Sequence, residues 1–139
     1  NVGSMFRTAD CFLAEHIYLC GMTPEPGHHE IEKTALGATQ TVAWTKVDDT
    51  LSCIQSLKEQ GFRIAALEQA EDSIDLRNYQ VQGPTALVVG HEVMGVQQAV
   101  VDACDDVIEI KQFGTKHSLN VSVSAGMALF EIHKGLTAK

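Results

Sequence analysis

The 139-residue chain has only three prolines, few aromatics (6%) and a deficit of positive charge, with ten Lys and Arg against eighteen Asp and Glu. A net charge of −8 excludes a broad, sequence-blind nucleic-acid binder, whose surface would be basic, but leaves room for a local basic patch. No apolar run approaches the roughly 18 to 20 residues that cross a bilayer, and no basic stretch followed by an apolar segment reads as a signal peptide. No membrane partner is therefore expected. The cysteines Cys11, Cys20, Cys53 and Cys104 include no CxxC pair. Their wide spacing, in a chain large enough for a core, predicts buried reduced thiols and a cytoplasmic location. There is no GxGxxG, no GxxxxGK[ST] and no GxSxG, so dinucleotide, phosphate-loop and serine-hydrolase readings lose their support. His28-His29-Glu30 has no third ligand nearby in sequence, and no metal is expected.

What is present is an ordinary globular composition, 45% hydrophobic and 20% charged, sized for a single domain spanning residues 1–139. Val2, Met5, Phe6, Ala9 and Leu13 recur at helical spacing, predicting a helix at the start. Glu15–Cys20 reads as a short strand, and Gly21–His29, with two prolines, as a loop. A short helix over Ile31–Leu36 and a strand over Thr41–Trp44 follow. A helix carries Leu51, Ile54 and Leu57, with Asp48 or Asp49 as its cap and Gly61 at its end. Arg63–Leu67 is a strand, residues 68–82 are polar and mostly irregular, and Thr85–Val89 is an apolar strand suited to burial on both faces. A helix from about Gln97 to Ala103, a strand at Val107–Ile110 and a helix from about Ser118 complete the chain. The alternation predicts an α/β fold with a mainly parallel sheet flanked by helices. In such folds ligands gather beyond the carboxyl ends of the strands.

Three segments carry chemistry-bearing residues. Asn1, Ser4 and Arg7 recur at spacings of three, on one face of the first helix. Gly90-His91-Glu92-Val93-Met94-Gly95 follows the apolar strand, two glycines bracketing a carboxylate where the backbone can turn tightly against a ligand. Ser118-Leu119-Asn120-Val121-Ser122 introduces an apolar helix with hydroxyls and an amide that suit caps and ligands better than helix interiors.

Together these segments, NVGSMFR, VVGHEVMG and IEIKQFGTKHSLNVSVSAG, resemble the three ordered motifs of the SpoU family of RNA 2′-O-ribose methyltransferases, within the SPOUT superfamily. The resemblance covers nearly the whole chain. It implies an α/β fold with a deep C-terminal trefoil knot, a rare exception to the rule against knots. It also implies S-adenosyl-L-methionine as cofactor, a tRNA or rRNA substrate and a homodimer, with Met127, Leu129, Phe130 and Ile132 of the last helix as a candidate interface. The family's first strand, which should precede Asn1, lies outside the sequence. By match to the motifs, the cofactor would contact Leu67, Glu68, Gln69, Gly90, Glu92, Ile110, Gln112, Ser118 and Leu119.

The catalytic set implied is Arg7 with Asn1, Glu92, Ser118 and Asn120. Deprotonating a guanidinium at pH 7 costs roughly 8 kcal/mol, which favours Arg7 as a clamp on phosphate and developing alkoxide over Arg7 as base. One departure stands out. Lys111-Gln112 replaces the Pro-Met that the family usually carries after the last strand. The competing readings are a catalytically inactive RNA-binding homologue and a nucleotide-binding module unrelated to RNA.

Overall fold

Small side chains govern how closely the helices and strands of this protein approach one another. The computed structural model describes residues 1–91, 94–115 and 119–137. The chain divides after Cys53 into two units, each with its own core.

In the first unit, helix α1 (Val2–Cys11) buries Gly3, Phe6 and Ala9, three residues at helical spacing. Helix α2 (His29–Ala35) buries Ile31 and Ala35. A Cβ at Gly3 would fall well inside contact with Thr34 Oγ1 and the Ile31 carbonyl, so glycine alone permits this crossing. Phe6 and Ala9 join Leu19, Ala35, Ala38 and Val42 in the core, with Trp44 packed against them. Strands β1 (Ile17–Cys20) and β2 (Trp44–Val47) pair in parallel, Ile17 opposite Trp44 and Cys20 opposite Val47. The strand expected at Thr41–Trp44 thus begins at Trp44. Thr41 and Val42 instead close a 3-10 turn by donating to the Ala38 carbonyl, and Thr41 Oγ1 donates to Asp10. Leu13, expected on the buried face of α1, is 79% exposed because the helix has ended and the chain turns there with φ 55°.

The second unit is built on a four-stranded sheet in the order β4-β6-β3-β5, with every pair parallel. Its strands are β3 (Arg63–Leu67), β4 (Ile74–Asp75), β5 (Thr85–Val88) and β6 (Asp106–Glu109). Adjacent residues of β3 serve opposite faces. Ile64 packs with Ile54 of α3 (Thr50–Glu59) and Val100 of α4 (Gln98–Ala103), whereas Ala65 packs with Ile108, Leu76 and Ala128 of α5 (Val121–Thr137). Alanine at both 65 and 128 lets α5 lie close to the sheet.

One expectation for this sheet changes. The Thr85–Val89 segment is a strand, but an edge strand of half-buried residues. The strand buried on both faces is β3, with Ile64, Ala65 and Ala66 all inaccessible. Residues 68–82 are mostly irregular, as expected, with two short regular pieces: β4 adds an edge to β6, and a 3-10 turn follows at Leu76–Asn78. Two residues of strand leave too short a pattern for periodicity to register. All four thiols are free, as expected, but none is fully buried: Cys11 is exposed and the others are half-buried. Burial, the largest cause in each case, pushes the Cys53 and Cys104 thiols up to about 11.

At the amino ends of β3 and β6 lies a charged network. Arg63 donates Nε and Nη2 to the two carboxylate oxygens of Asp106 at 2.7 and 2.9 Å, and Tyr79 donates its hydroxyl to the same carboxylate at 2.8 Å. These bonds, the Arg63 fork first, hold the Asp106 carboxyl below its ordinary value of 3.8, against a desolvation cost that raises it. A depressed folded pKa means stability that is present above the unfolded value near pH 4 and lost as pH falls through the folded one. Asp106→Ala is expected to cost about 2 kcal/mol at pH 7, since it strands the Tyr79 hydroxyl. Asp106→Asn should flatten the loss of stability below about pH 4. Urea unfolding midpoints across the acid range check both. A wild-type acid limb retained by the Asn variant would remove Asp106 as its source.

Candidate functional site

In the second unit the carboxyl ends of three neighbouring strands lie at one edge of the sheet, because β5, β3 and β6 run parallel and in register. Ala66 pairs with Val88 on one side and Val107 on the other, and Leu67 pairs with Ile108. The loops that leave β3, β5 and β6 therefore emerge together. These loops carry Glu68 and Gln69, Gly90, and, after β6, residues 110–115 with Leu119 and Asn120. Alternate burial cannot occur in a loop, so what fixes them must be specific bonds.

Glu68 supplies the first. One carboxylate oxygen accepts from the Gln69 amide at 2.9 Å, and the other accepts from the Val96 amide at 2.9 Å, joining the β3 loop to the β5 loop. The β5 loop is closed on itself by a bridge between His91 and Gly95, the Gly95 amide donating to the His91 carbonyl at 2.8 Å. Gly90 faces the backbone of Gly95 and Val96 so closely that any Cβ would overlap it. Gly95 has φ 70°, and a Cβ there would meet the Glu68 carboxylate. The two glycines of GHEVMG are thus the condition for folding this loop against Glu68.

The β6 loop is held by Gln112. Its Oε1 accepts from the Leu119 amide at 3.1 Å, stapling the loop across residues that lie between them in sequence. Asn120 then caps α5, with its Oδ1 accepting from the Ser122 amide at 2.8 Å and its carbonyl from Ser124 at 3.0 Å. The helix begins at Val121, not near Ser118. Leu67 ends β3 half-buried, Ile110 packs against the core beneath α5, and Gln69 and Leu119 are exposed. Glu92 and Ser118 lie outside the described residues.

The remaining candidates belong to the first unit. Asn1 is the N-cap of α1, its carbonyl accepting from the Met5 amide at 3.0 Å. Arg7 is exposed on α1 and makes no hydrogen bond or ion pair among the described residues. Sequence reasoning does not find Val96. Its contribution is a backbone amide, which no residue type announces.

Comparison with known proteins decides the family. The SpoU rRNA Methylase family model matches residues 1–130. The chain belongs to the SpoU family. A protein of Staphylococcus haemolyticus assigned to the TrmH family of tRNA/rRNA methyltransferases is 32% identical over 96% of the chain. The chain spans about half the length of the curated relatives it matches, 53% in that case. The crystal structure of the A. aeolicus TrmH/SpoU tRNA modifying enzyme is similar at 30% identity and a TM-score of 0.85, over 96% of this chain and 67% of that one. An AdoMet-bound rRNA methyltransferase from Sinorhizobium meliloti gives 27% identity and a TM-score of 0.90, over 99% of this chain and 52% of that one. The parallel sheets with flanking helices match those of SpoU/TrmH structures, one of a tRNA modifying enzyme and one of an rRNA methyltransferase.

Proposed function

We propose that the chain is an S-adenosyl-L-methionine-dependent RNA methyltransferase acting on a ribose 2′-hydroxyl of tRNA or rRNA. The observation that carries this reading is the set of bonded loops at the carboxyl ends of β5, β3 and β6, which coincides with the second and third SpoU motifs. The loops suit the cofactor. They bring backbone amides and carbonyls together at one sheet edge, and Gly90 and Gly95 let the β5 loop fold tightly against Glu68 there. Leu67–Gln69, Gly90, Glu92, Ile110, Gln112 and Ser118–Leu119 would hold it. When bound, the cofactor supplies an electrophilic sulfonium methyl.

What this chain's residues must add is orientation of the acceptor hydroxyl and stabilisation of its developing negative charge. Arg7 suits that role. It is exposed and without a partner among the described residues, so its fork is open to a phosphate and to the alkoxide. Asn1, Glu92, Ser118 and Asn120 would position the ribose. Asn120 has already committed Oδ1 to the α5 cap, so its contribution would be its NH2 donor.

The same reading includes the trefoil knot and a homodimer. Of the residues expected at the interface, Ile132 is buried in the unit's own core and Leu129 is half-buried. The exposed stripe is instead Leu119, Val123, Met127 and Phe130, spaced four, four and three along α5 and the residues leading into it. No helix among the described residues is long and apolar enough to cross a membrane.

The test has two arms. Calorimetry with S-adenosyl-L-methionine should show saturable binding, and labelled methyl should pass to tRNA or rRNA from cells lacking the gene. Alkaline hydrolysis of the product should leave resistant dinucleotides, because a methylated 2′-oxygen cannot attack the neighbouring phosphate. Binding without transfer to any RNA would favour the inactive homologue. Label released in mononucleotides instead of resistant dinucleotides would rule out ribose as acceptor.

A further inference from the structure

The position at which this chain departs from its family's pattern, Lys111-Gln112, is followed by Phe113, whose ring is 80% exposed. A single exposed apolar residue needs no explanation. Here, however, the Arg77 guanidinium carbon stands 5.6 Å from the Phe113 ring centroid. Arg77 is itself held in place. Its Nε donates to both carboxylate oxygens of Asp75 at 3.2 Å, its Nη2 to Oδ2 at 2.7 Å, and its backbone amide to Oδ1 at 3.0 Å. The topology explains the meeting: β4 ends at Asp75, which pairs with Glu109, and Lys111 follows two residues later. Arg77, with the smaller field of Lys111, holds the Asp75 carboxyl down to about 2, so this lock persists at any physiological pH.

The result is a flat guanidinium held over a flat ring at the surface, with a lysine close by in sequence. Arginine bound to a carboxylate is electrically compensated and attracts phosphate weakly, while its plane remains a stacking surface. Glu71 and Asp72, on the loop just before β4, add negative charge that a stretch of duplex phosphates would meet unfavourably. An unpaired nucleobase has no such difficulty, since it is neutral and stacks on aromatic or guanidinium planes. Phe113 also belongs to the loop that Gln112 staples to Leu119, which places the ring on the proposed cofactor loop itself.

We propose that Phe113 and Arg77, with Lys111 taking the adjoining phosphate, form a stacking platform that holds one unpaired nucleotide of the RNA beside the cofactor loop. The proposal rests on the reading of the chain as an RNA methyltransferase, and it would make substrate choice depend on a splayed-out base next to the modified ribose.

The test is binding of fluorescent oligoadenylate and of a blunt RNA duplex to the full chain, with S-adenosyl-L-methionine affinity measured alongside. Phe113→Ala and Arg77→Ala should each weaken oligoadenylate about tenfold, the scale of losing one stacked base. Phe113→Trp should restore binding, and neither duplex nor cofactor affinity should change. In methyl transfer the alanine variants should raise KM for RNA and keep kcat. Wild-type oligoadenylate affinity in Phe113→Ala would overturn the platform, as would absence of oligoadenylate binding by the wild type. An equal loss on duplex would also overturn it, by showing a merely electrostatic contact, and so would failure of Phe113→Trp to rescue. The two readings fail separately. Cofactor binding and methyl transfer indifferent to Phe113 sink the platform alone. Phe113-dependent oligoadenylate binding without cofactor binding sinks the methyltransferase reading alone.

Discussion

Arg7→Ala is expected to lower methyl transfer by about 100- to 1000-fold, the scale of removing one preorganised donor from a developing oxyanion. Cofactor affinity and folding should be unchanged. The reason for expecting so clean a separation is the position of the residue. Arg7 is exposed on α1, beside the buried Phe6 in sequence, and contributes no bond to the fold among the described residues. An arginine held for structure would be tied to a carboxylate, as Arg63 is to Asp106. Arg7→Lys should recover part of the rate through its charge but not the forked geometry. Single-turnover transfer of labelled methyl, with calorimetry for the cofactor, measures both quantities. A near-wild-type rate in Arg7→Ala would remove this residue from the chemistry, whether as clamp or as base.

Much of the architecture is legible in the sequence because burial on the sheet leaves a continuous apolar record. Arg63–Leu67 is a strand with the expected bounds, and the helix on Leu51, Ile54 and Leu57 is present with Asp49 at its start, accepting from Leu51 and Ser52. What cannot be read is rank and register. Thr85–Val88 is more uniformly apolar than Arg63–Leu67 yet lies at the edge, and the two small alanines of β3 disclose its central place only once α5 is seen packed on it. Thr41–Ala43 has the composition of a strand, but the 3-10 turn at Ala38–Gln40 claims its backbone amides first.

The candidate site shows the same division. Motif spacing points to the loops that carry Glu68, Gly90 and Asn120. Spacing cannot show that Glu68 reaches the Val96 amide, or that Gln112 takes the Leu119 amide in place of the family's usual apolar side chain. Bonds between a side chain and a distant backbone amide leave no pattern in sequence, because every residue but proline offers the same donor.

Those bonds make Gly90→Ala the substitution with the largest expected effect on cofactor affinity. The added methyl would lie inside the contact radius of the Gly95 carbonyl group and the Val96 amide nitrogen, all backbone atoms. Backbone yields only if the loop moves, and this loop is anchored twice: the His91–Gly95 bridge closes it, and Val96 is bonded to Glu68. Overpacking of this kind costs about 1–3 kcal/mol. If it is relieved by opening the β5 loop, the same amount is lost from cofactor binding, a weakening of about 5- to 150-fold. Gly95→Ala provides the contrast. Its methyl would meet the end of the Glu68 side chain, which can swing aside only by giving up its bond from Val96, and this adds to the left-handed strain of φ 70°, about 1–2 kcal/mol. Glu68→Ala in the Gly90→Ala background should recover nothing, since the overlap is with backbone and the Val96 anchor is lost as well, whereas in the Gly95→Ala background it should relieve the clash and leave the strain together with the loss of that anchor. Calorimetric titration of the two single and two double variants with S-adenosyl-L-methionine, with thermal melts to confirm folding, distinguishes the cases. Equal affinities for Gly90→Ala and wild type would mean that the β5 loop does not shape the cofactor site.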